Sequence, residues 1–294
     1  MKYSKIVKLS TLALCLSTAF SSSVLAEEKY HDADPRNSSF RGGIGTDDRG
    51  EIKLVTGGGF SNEWSGGANT QTNVLLEYYT QTENARLRVI HFDSRFGGAY
   101  VDLNHVEDVM NMSTVGYMLP LETNDKKLMF FPSVNYTYVN FDNDAINDGI
   151  YDATNPTDSV MNNSAGANAI QELGFATGTG SNVSAMGAGD LIDFEDAHAA
   201  SVSLYGVKPW NDTHYTVFQL AAGSSYSGQE MQFGNALFIQ GMRTKLKDNV
   251  LNIYFEAKYD HFAFENIDVN GMDAPIDRVA GGEATYSVGF DFRF

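Results

Sequence analysis

The most regular feature of this chain is an alternation of apolar and polar residues with a period of two. It is clearest at positions 284–294, ATYSVGFDFRF, where the apolar parity consists of Tyr286, Val288, Phe290, Phe292 and Phe294. The other parity carries small residues and one charge of each sign. Successive side chains of a β-strand point to opposite faces, so this stretch predicts a strand with one apolar and one polar face.

Similar segments recur along the chain and predict ten strands in all. They lie at 51–60, 72–81, 85–93, 112–121, 127–141, 198–208, 213–222, 233–244, 249–260 and 283–294. The connections after the second, fourth, sixth and eighth strands are short, whereas the other connections are long. A transmembrane up-and-down barrel sorts its connections in this way, with short turns at one end and long loops at the other.

The start of the chain predicts a secretory signal peptide at 1–26. Three lysines precede an apolar stretch at 9–20, and small residues around Ala26 offer a cleavage site. The single cysteine, Cys15, lies in this segment, so the mature chain is expected to hold no disulfide and no thiolate metal site. The rest of the sequence predicts no spanning helix, and a closed barrel is the remaining way to cross a membrane.

The net charge of the chain limits the kinds of partner that are expected. The chain has 20 basic and 37 acidic residues, a net charge of −17, and removal of the three signal-peptide lysines takes this to −20. Nucleic acid is not expected to bind in such a field. Residues 142–149, DNDAINDG, place oxygen ligands ahead of a glycine but lack the glutamate that completes a calcium loop. No resident metal or cofactor is therefore expected.

Together these features resemble those of Gram-negative outer-membrane β-barrel proteins of the porin-like class. The likeness rests on the signal peptide, the ten alternating segments and the closing aromatic pattern. It implies an all-β fold: a transmembrane up-and-down antiparallel β-barrel at 51–294, preceded by a periplasmic or lumenal lead at 27–50. It also implies an outer-membrane location, contact with lipid and lipopolysaccharide, and recognition of the terminal apolar parity by the barrel-assembly machinery.

Twelve strands remain an alternative to ten. Residues 38–55 could form a hairpin that turns at 47–50, and residues 98–105 could add another strand. Ten strands are preferred because twelve would place the long polar stretch SNEWSGGANTQ, at 61–71, on the periplasmic side.

Parity also sorts side chains between lumen and lipid. The side chains expected in the lumen include Arg86, Arg88, Asn135, Asn252, Glu256, Lys258, Asp291 and Arg293. Charges in so confined an interior must be paired or hydrated. This set fits either a hydrated pore lined by opposed charges or an ion-pair network that fills a narrow barrel.

The longest connection, at about 142–197, holds ten acidic residues and no lysine or arginine. The acids nearest the following strand are Asp190, Asp193, Glu195 and Asp196. One hypothesis is that this loop folds toward the mouth and favours cations, as carboxylate rings do. The other is a solvated external loop whose acids bind divalent cations near the lipopolysaccharide surface.

Three functions follow from this reading. The first is a passive channel for ions or small hydrophilic solutes, with a leaning toward cations. The second is a closed barrel that serves as a structural or adhesive surface protein. The third is a barrel-rim hydrolase, for which His91 with Asp93 and Asp260 with His261 are the candidate pairs. Catalysis is not expected, because His91 has the parity of the lipid face and adjacent residues such as Asp260 and His261 point opposite ways.

Overall fold

A computed structural model describes residues 31, 33–37, 39–64, 68–123, 128–154, 192–247, 249–268 and 276–294. The predicted signal peptide and Asp190 lie outside the described residues, so the structure does not bear on either of them.

The described chain is built almost wholly of antiparallel β-strands. They are β1 (Arg41–Asp47), β2 (Ile52–Trp64), β3 (Ala68–Tyr79), β4 (Ala85–Asp93), β5 (Gly97–Val106), β6 (Met110–Met118), β7 (Leu121–Glu122), β8 (Met129–Phe141), β9 (Ala197–Pro209), β10 (His214–Ser227), β11 (Glu230–Leu246), β12 (Asn249–Ile267) and β13 (Ile276–Arg293). One helix, α1 (Asn143–Thr154), follows β8. Each barrel strand pairs with its neighbours in the chain; β6 pairs with β8, and β1 closes the ring against β13.

The prediction of an all-β closed barrel is confirmed, but the preferred count of ten strands is wrong. Twelve strands form the ring, and the two-residue β7 is an extra strand on the edge of β8. The two strands missing from the count are β1 and β5, which correspond to the alternative hairpin and the alternative strand at 98–105. The barrel therefore begins at Arg41, before the predicted start at residue 51.

The reason for preferring ten strands fails because residues 61–71 are mostly strand. β2 continues to Trp64 and β3 begins at Ala68, so only three residues separate them. Pairing in a hairpin can continue past the membrane, where outward side chains meet water and need not be apolar. A polar stretch of this kind therefore looks like a loop in the sequence although its backbone is fully paired.

The predicted alternation of short and long connections is also wrong. The chain termini of the barrel meet at one end, here called the terminal end, because Arg41 lies opposite Arg293. The opposite end, the loop end, carries the connection at 142–196, but it also carries short ones at 48–51 and 228–229. The tight turn after β1 is closed by a hydrogen bond from Gly50 N to Asp47 O, with Gly50 at a φ of +84°.

The outer surface of the ring is apolar. Large apolar side chains remain exposed on most barrel strands, among them Leu54, Val101, Leu103, Val115, Val134, Val202, Leu220, Phe238, Ile253, Phe255, Val288 and Phe290. An exposed apolar surface that runs round the molecule is unfavourable in water and suited to the hydrocarbon of a bilayer. The alternation in the sequence thus places its apolar face on the outside and its polar face in the lumen.

Two apolar clusters lie at the two ends of the lumen. At the loop end, Ile146 of α1 and the connecting residues Ile192 and Phe194 pack with side chains of β6, β8, β11 and β12. We call this cluster the mouth lid. At the terminal end, Phe92, Phe131 and neighbouring side chains pack around Ala33. Ala33 belongs to the residues that precede β1, and the described ones from His31 to Phe40 are called the inner N-terminal segment.

Candidate functional site: the barrel lumen

The space between the two apolar clusters is divided into a wide and a narrow chamber. The wide chamber, of about 920 Å³, lies toward the loop end and is lined by residues from most strands of the ring. The narrow chamber, of about 230 Å³, lies toward the terminal end, where the inner N-terminal segment forms part of its wall. Both volumes are large enough for water and small solutes.

Four charged side chains line both chambers and form a belt between them. Lys53 on β2 pairs with Glu256 on β12, with Nζ 3.0 Å from Oε1. Arg86 on β4 pairs with Asp102 on β5, with Nη2 2.5 Å from Oδ2. All four side chains belong to the linings of both cavities. We call them the charge belt, and their pairing removes most of the cost of placing charges inside the barrel.

Glycines on the strands between β2 and β12 make room for the side chain of Tyr254. Between β2 and β12 lie β1 and β13, and a Cβ built on Gly289 of β13 would come 2.6 Å from the ring of Tyr254. A Cβ on Gly45 of β1 would come 3.3 Å from the Tyr254 hydroxyl. The bare backbone therefore lets this tyrosine lie flat against the wall, beside the path from Lys53 to Glu256.

The structure places all eight predicted lumen residues inside the barrel. Seven line the chambers: Arg86, Arg88, Asn135, Glu256, Lys258, Asp291 and Arg293. Asn252 is fully buried and donates a hydrogen bond of 2.9 Å to Asp291. Its position at the terminal end of β12 leaves it against the wall rather than at the cavity surface.

Several residues that line the lumen were not among the eight predicted from the sequence. Lys53 and Glu77 lie at inward parity on β2 and β3, so the same rule of alternation identifies them. Arg36 and Arg41 precede the predicted barrel at 51–294, so the rule of alternation was not applied to them. The glycine-rich sequence of β1, RGGIGTD, hides the strand because glycine marks neither face.

The inner N-terminal segment is held in the terminal end by Arg36. Its guanidinium pairs with Asp34 at 2.8 Å and with Glu122 at 2.6 Å, and lies 5.4 Å from the ring centroid of Phe131. Burial alone would lower the pKa of Arg36, but the hydrogen bonds and charges of Asp34 and Glu122 raise it overall. Arg36 is therefore a fixed cation that ties the segment to the barrel.

Barrel side chains also hold the backbone of this segment. Tyr205 Oη donates to the Ala33 carbonyl at 2.8 Å, and Asn73 Nδ2 donates to the Pro35 carbonyl. His31 packs edge to face against Tyr215. These contacts come from β3, β9 and β10, so the segment crosses the interior rather than following one wall.

The mouth lid is held by two asparagines one helical turn apart. Asn143 Nδ2 donates to the Phe194 carbonyl at 3.0 Å while Asn143 Oδ1 accepts from Phe194 N at 2.9 Å. Asn147 makes the same pair of bonds to Ile192, at 2.8 and 2.9 Å. The two amides imitate the pairing of a β-strand, which turns Ile192 and Phe194 toward the lumen. Asp142 caps α1 by accepting from Ala145 N at 3.1 Å.

The described acids of the predicted loop lie on the outer side of the lid. Asp193, Glu195 and Asp196 are exposed, and none belongs to the lining of the wide chamber. Asp196 accepts from the Tyr138 hydroxyl and, at 2.9 Å, from Asn140 Nδ2. The hydrogen bond from Tyr138, with that from Asn140, holds the pKa of Asp196 below its ordinary value.

The candidate catalytic pairs do not converge in the described structure. His91 is exposed on the outer face and its Nδ1 lies 2.8 Å from Thr72 Oγ1, whereas Asp93 accepts from Arg95. Asp260 faces the wide chamber and pairs with Lys258 at 2.6 Å. Within the described residues, no group of three or more His, Cys, Asp or Glu side chains is arranged to hold a metal ion.

The closed ring, the exposed apolar belt and the charged interior define an antiparallel β-barrel of the transmembrane type. Solved structures similar to this chain include the NanC porin, with 9% identity, 87% of this chain and 100% of that chain covered, and a TM-score of 0.43. OmpT, an outer membrane protein of Vibrio cholerae, has 7% identity, coverage of 87% and 96%, and a TM-score of 0.29. The KdgM porin has 7% identity, coverage of 87% and 99%, and a TM-score of 0.23.

No protein-family model and no curated protein matches the chain. At the identities and scores above, the similar structures do not indicate what this barrel carries. Among the described residues, no helix is long and apolar enough to cross a membrane.

Proposed function

We propose that this protein is a passive outer-membrane channel for small hydrophilic solutes. The observation that carries the proposal is the wide chamber of about 920 Å³, a cavity with many charged lining side chains inside a ring whose outer face is apolar. The charge belt lies between it and the narrow chamber, since the same four side chains line both. A barrel that served only as a support would be expected to fill this space with side chains.

We also propose that the wide chamber favours cations. Its lining includes seven carboxylates, from Asp47, Glu51, Asp102, Glu107, Glu256, Asp260 and Glu283, and four cationic groups, from Arg49, Lys53, Arg86 and Lys258. The excess of negative charge attracts cations into the chamber. The acids on the outer side of the lid, including Asp193 and Asp196, add to this field where the chamber meets solvent.

The membrane setting follows the same reasoning and is part of the proposal. The apolar belt contacts lipid, and the terminal end faces the periplasm, as the termini of such barrels do. The loop end then faces outward, where its acids meet lipopolysaccharide and attract divalent cations. Tyr286, Val288, Phe290 and Phe294 are exposed on the outer face of β13 and Phe292 is half-buried there, positions from which the assembly machinery could read them.

A closed structural or adhesive barrel is the second candidate. The mouth lid and the inner N-terminal segment favour it, because each places packed side chains across one end of the lumen. The two candidates differ in one measurable property, which is whether ions cross the barrel.

Single-channel recording in planar bilayers tests both. The mature protein is refolded, its insertion is verified by protease protection, and current is recorded in potassium chloride. Discrete conductance steps are expected from a channel, and a silent membrane after verified insertion would support the closed barrel instead. The cation preference is then read from the reversal potential in a salt gradient.

The lid acids give a matched pair of variants for the cation preference. The triple change Asp193→Asn, Glu195→Gln and Asp196→Asn should move the reversal potential toward that of an unselective pore. Asp212→Asn removes an exposed acid at the terminal end and should leave it unchanged. Equal reversal potentials for the wild type and the triple variant would show that the lid acids do not cause the cation preference.

A further inference from the structure

The narrow chamber contains an arginine in an unusual position. Arg41 begins β1 and lies directly opposite Arg293 of β13 in the register of the two strands. Like charges at directly opposed positions of an antiparallel pair are destabilising. Both side chains line the narrow chamber, together with Arg88 of β4. Arg86 of the charge belt lines the chamber as well, so four guanidinium groups surround a cavity of about 230 Å³.

The carboxylates near Arg41 pair with other arginines of the chamber. Glu77 pairs with Arg88 at 2.8 Å, and Asp291 accepts from Arg293 at 3.2 Å. Asp291 also accepts from Asn252, which occupies the same Oδ1 atom. Among the described residues, no carboxylate lies at ion-pair distance from the Arg41 guanidinium.

A second polar group in the same chamber also lacks a partner. The Nε atom of Arg88 is buried without a hydrogen-bond acceptor, although Nη2 of the same side chain binds Glu77. A buried donor without an acceptor is costly, and an ordered water or a bound ion is one of the ways in which native structures satisfy such a group. Arg41 and Arg88 thus both offer donors that the described side chains do not use.

We infer that the narrow chamber is a binding site for a small carboxylate-bearing solute, with the Arg41 guanidinium as its principal contact. A guanidinium presents two parallel N–H donors that match the two oxygens of a carboxylate, which a lysine cannot do. The bound anion would also reduce the electrostatic repulsion between Arg41 and Arg293. Aliphatic side chains of Val217, Leu237 and Ile239 line other parts of the chamber and suit the carbon skeleton of the solute.

This inference deepens the proposed function and depends on it only for the route by which the solute arrives. Binding itself requires the folded barrel and no conduction. A channel of this kind would combine a cation-attracting wide chamber with a carboxylate site in the narrow one.

Calorimetric titration of the mature protein in detergent micelles tests the site, with sodium succinate as the probe and succinamide as its uncharged counterpart. Succinate should bind and succinamide should not. Arg41→Gln should weaken succinate binding by about tenfold or more. The affinity of Arg41→Lys should lie between those of Arg41→Gln and the wild type, because lysine keeps the positive charge but lacks the two parallel N–H donors. Arg95→Gln, which removes an arginine from a turn at the terminal end, should bind as the wild type does.

Stability separates a binding role of Arg41 from a structural one. Without succinate, Arg41→Gln should resist urea as well as the wild type or better, because it removes a cation without a carboxylate at ion-pair distance. Absence of succinate binding by the wild type, equal binding of succinamide, or unchanged affinity in Arg41→Gln would each overturn the inference. So would a loss of affinity matched by a loss of stability. A pore that conducts but does not bind succinate would support the channel proposal and overturn the carboxylate site. A barrel that binds succinate but does not conduct would support the site and overturn the channel proposal.

Discussion

The two chambers lie inside the same barrel wall, yet they differ in the balance of acidic and cationic side chains and in how exposed those side chains are. In the wide chamber, carboxylates outnumber cations, and the pair of Lys258 and Asp260 is about one-third exposed, at 34% and 32%. In the narrow chamber, five cationic and five acidic side chains line a quarter of the volume, and Asp34 there is fully buried beside Arg36. An excess of charge is thus found where there is room for water.

The difference follows from the electrostatics of confined charges. Water in the wide chamber screens its carboxylates, so the net charge there costs little. In the narrow chamber the effective dielectric constant is lower, and each charge needs a partner at short distance. Arg41 departs from this rule, which is why it stands out as a candidate ligand-binding group. The charge belt lies where the two environments meet.

The largest expected effect comes from breaking the charge belt. Lys53→Met leaves Glu256 without its cation at a position where the two side chains are only 9% and 12% exposed. Removal of one partner from a buried ion pair costs about 3–5 kcal/mol. Urea unfolding of the barrel in lipid vesicles, followed by tryptophan fluorescence, measures this loss of folding free energy.

Two further variants sharpen this test. Lys53→Met combined with Glu256→Leu removes both charges and should recover most of the lost stability. Lys258→Met breaks the pair of the wide chamber that is about one-third exposed and should cost only about 1 kcal/mol or less. Equal losses for Lys53→Met and Lys258→Met would show that water screens both chambers alike, and the contrast between them would fail.

A smaller effect is expected at the closed end of the narrow chamber. Arg36 and Arg95 both follow an aspartate by two residues and make the same two side-chain bonds to it. Arg36 is 11% exposed and Arg95 is 55% exposed. Arg36→Ala should destabilise the inner N-terminal segment by about 1.5–3 kcal/mol, the worth of hydrogen bonds to a charged group.

Hydrogen exchange measures this directly. In Arg36→Ala the amides of Ala33, Asp34, residue 36 and Asn37 should exchange faster, and the pore current should rise as the segment loosens. In Arg95→Ala, exchange in the same segment should match that of the wild type, because its ion pair lies in a solvated turn. Unchanged protection in Arg36→Ala would mean that Tyr205 and Asn73 alone hold the segment.

The sequence predicted the barrel and the sorting of side chains because both depend on a period of two. Membrane strands such as β12 alternate strictly, so Glu256 and Lys258 could be assigned to the lumen without a structure. β1 was predicted only as part of the alternative hairpin at 38–55, because its glycines belong to neither face. The strand ends at 61–71 could not be recognised because they extend beyond the apolar belt and carry no alternation.

The ends of the lumen were predicted only as open alternatives, a periplasmic or lumenal lead at 27–50 and a loop at about 142–197 that either folds toward the mouth or stays in solvent. The inner N-terminal segment and the mouth lid are held by contacts between residues far apart in the chain, such as Arg36 with Glu122 and Asn147 with Ile192. Neither has a periodic signal. The acidic loop was correctly noticed for its charge, but its buried Ile192 and Phe194 decide where that charge lies.

The smallest expected effect lies at the rim, where Asp196 is solvated. Its lowered pKa means that the folded rim favours the carboxylate, so the contribution of this group is present above the ordinary aspartate pKa of about 3.9 and is lost as the pH falls below it. Tyr138→Phe removes the first donor and should raise the Asp196 pKa toward its ordinary value, as followed by carbon NMR. Tyr136→Phe is the matched control, because that hydroxyl lies 2.7 Å from His198 Nδ1 instead. A shift in the control as large as that in Tyr138→Phe would assign the effect to the aromatic rim as a whole rather than to the Tyr138 hydrogen bond.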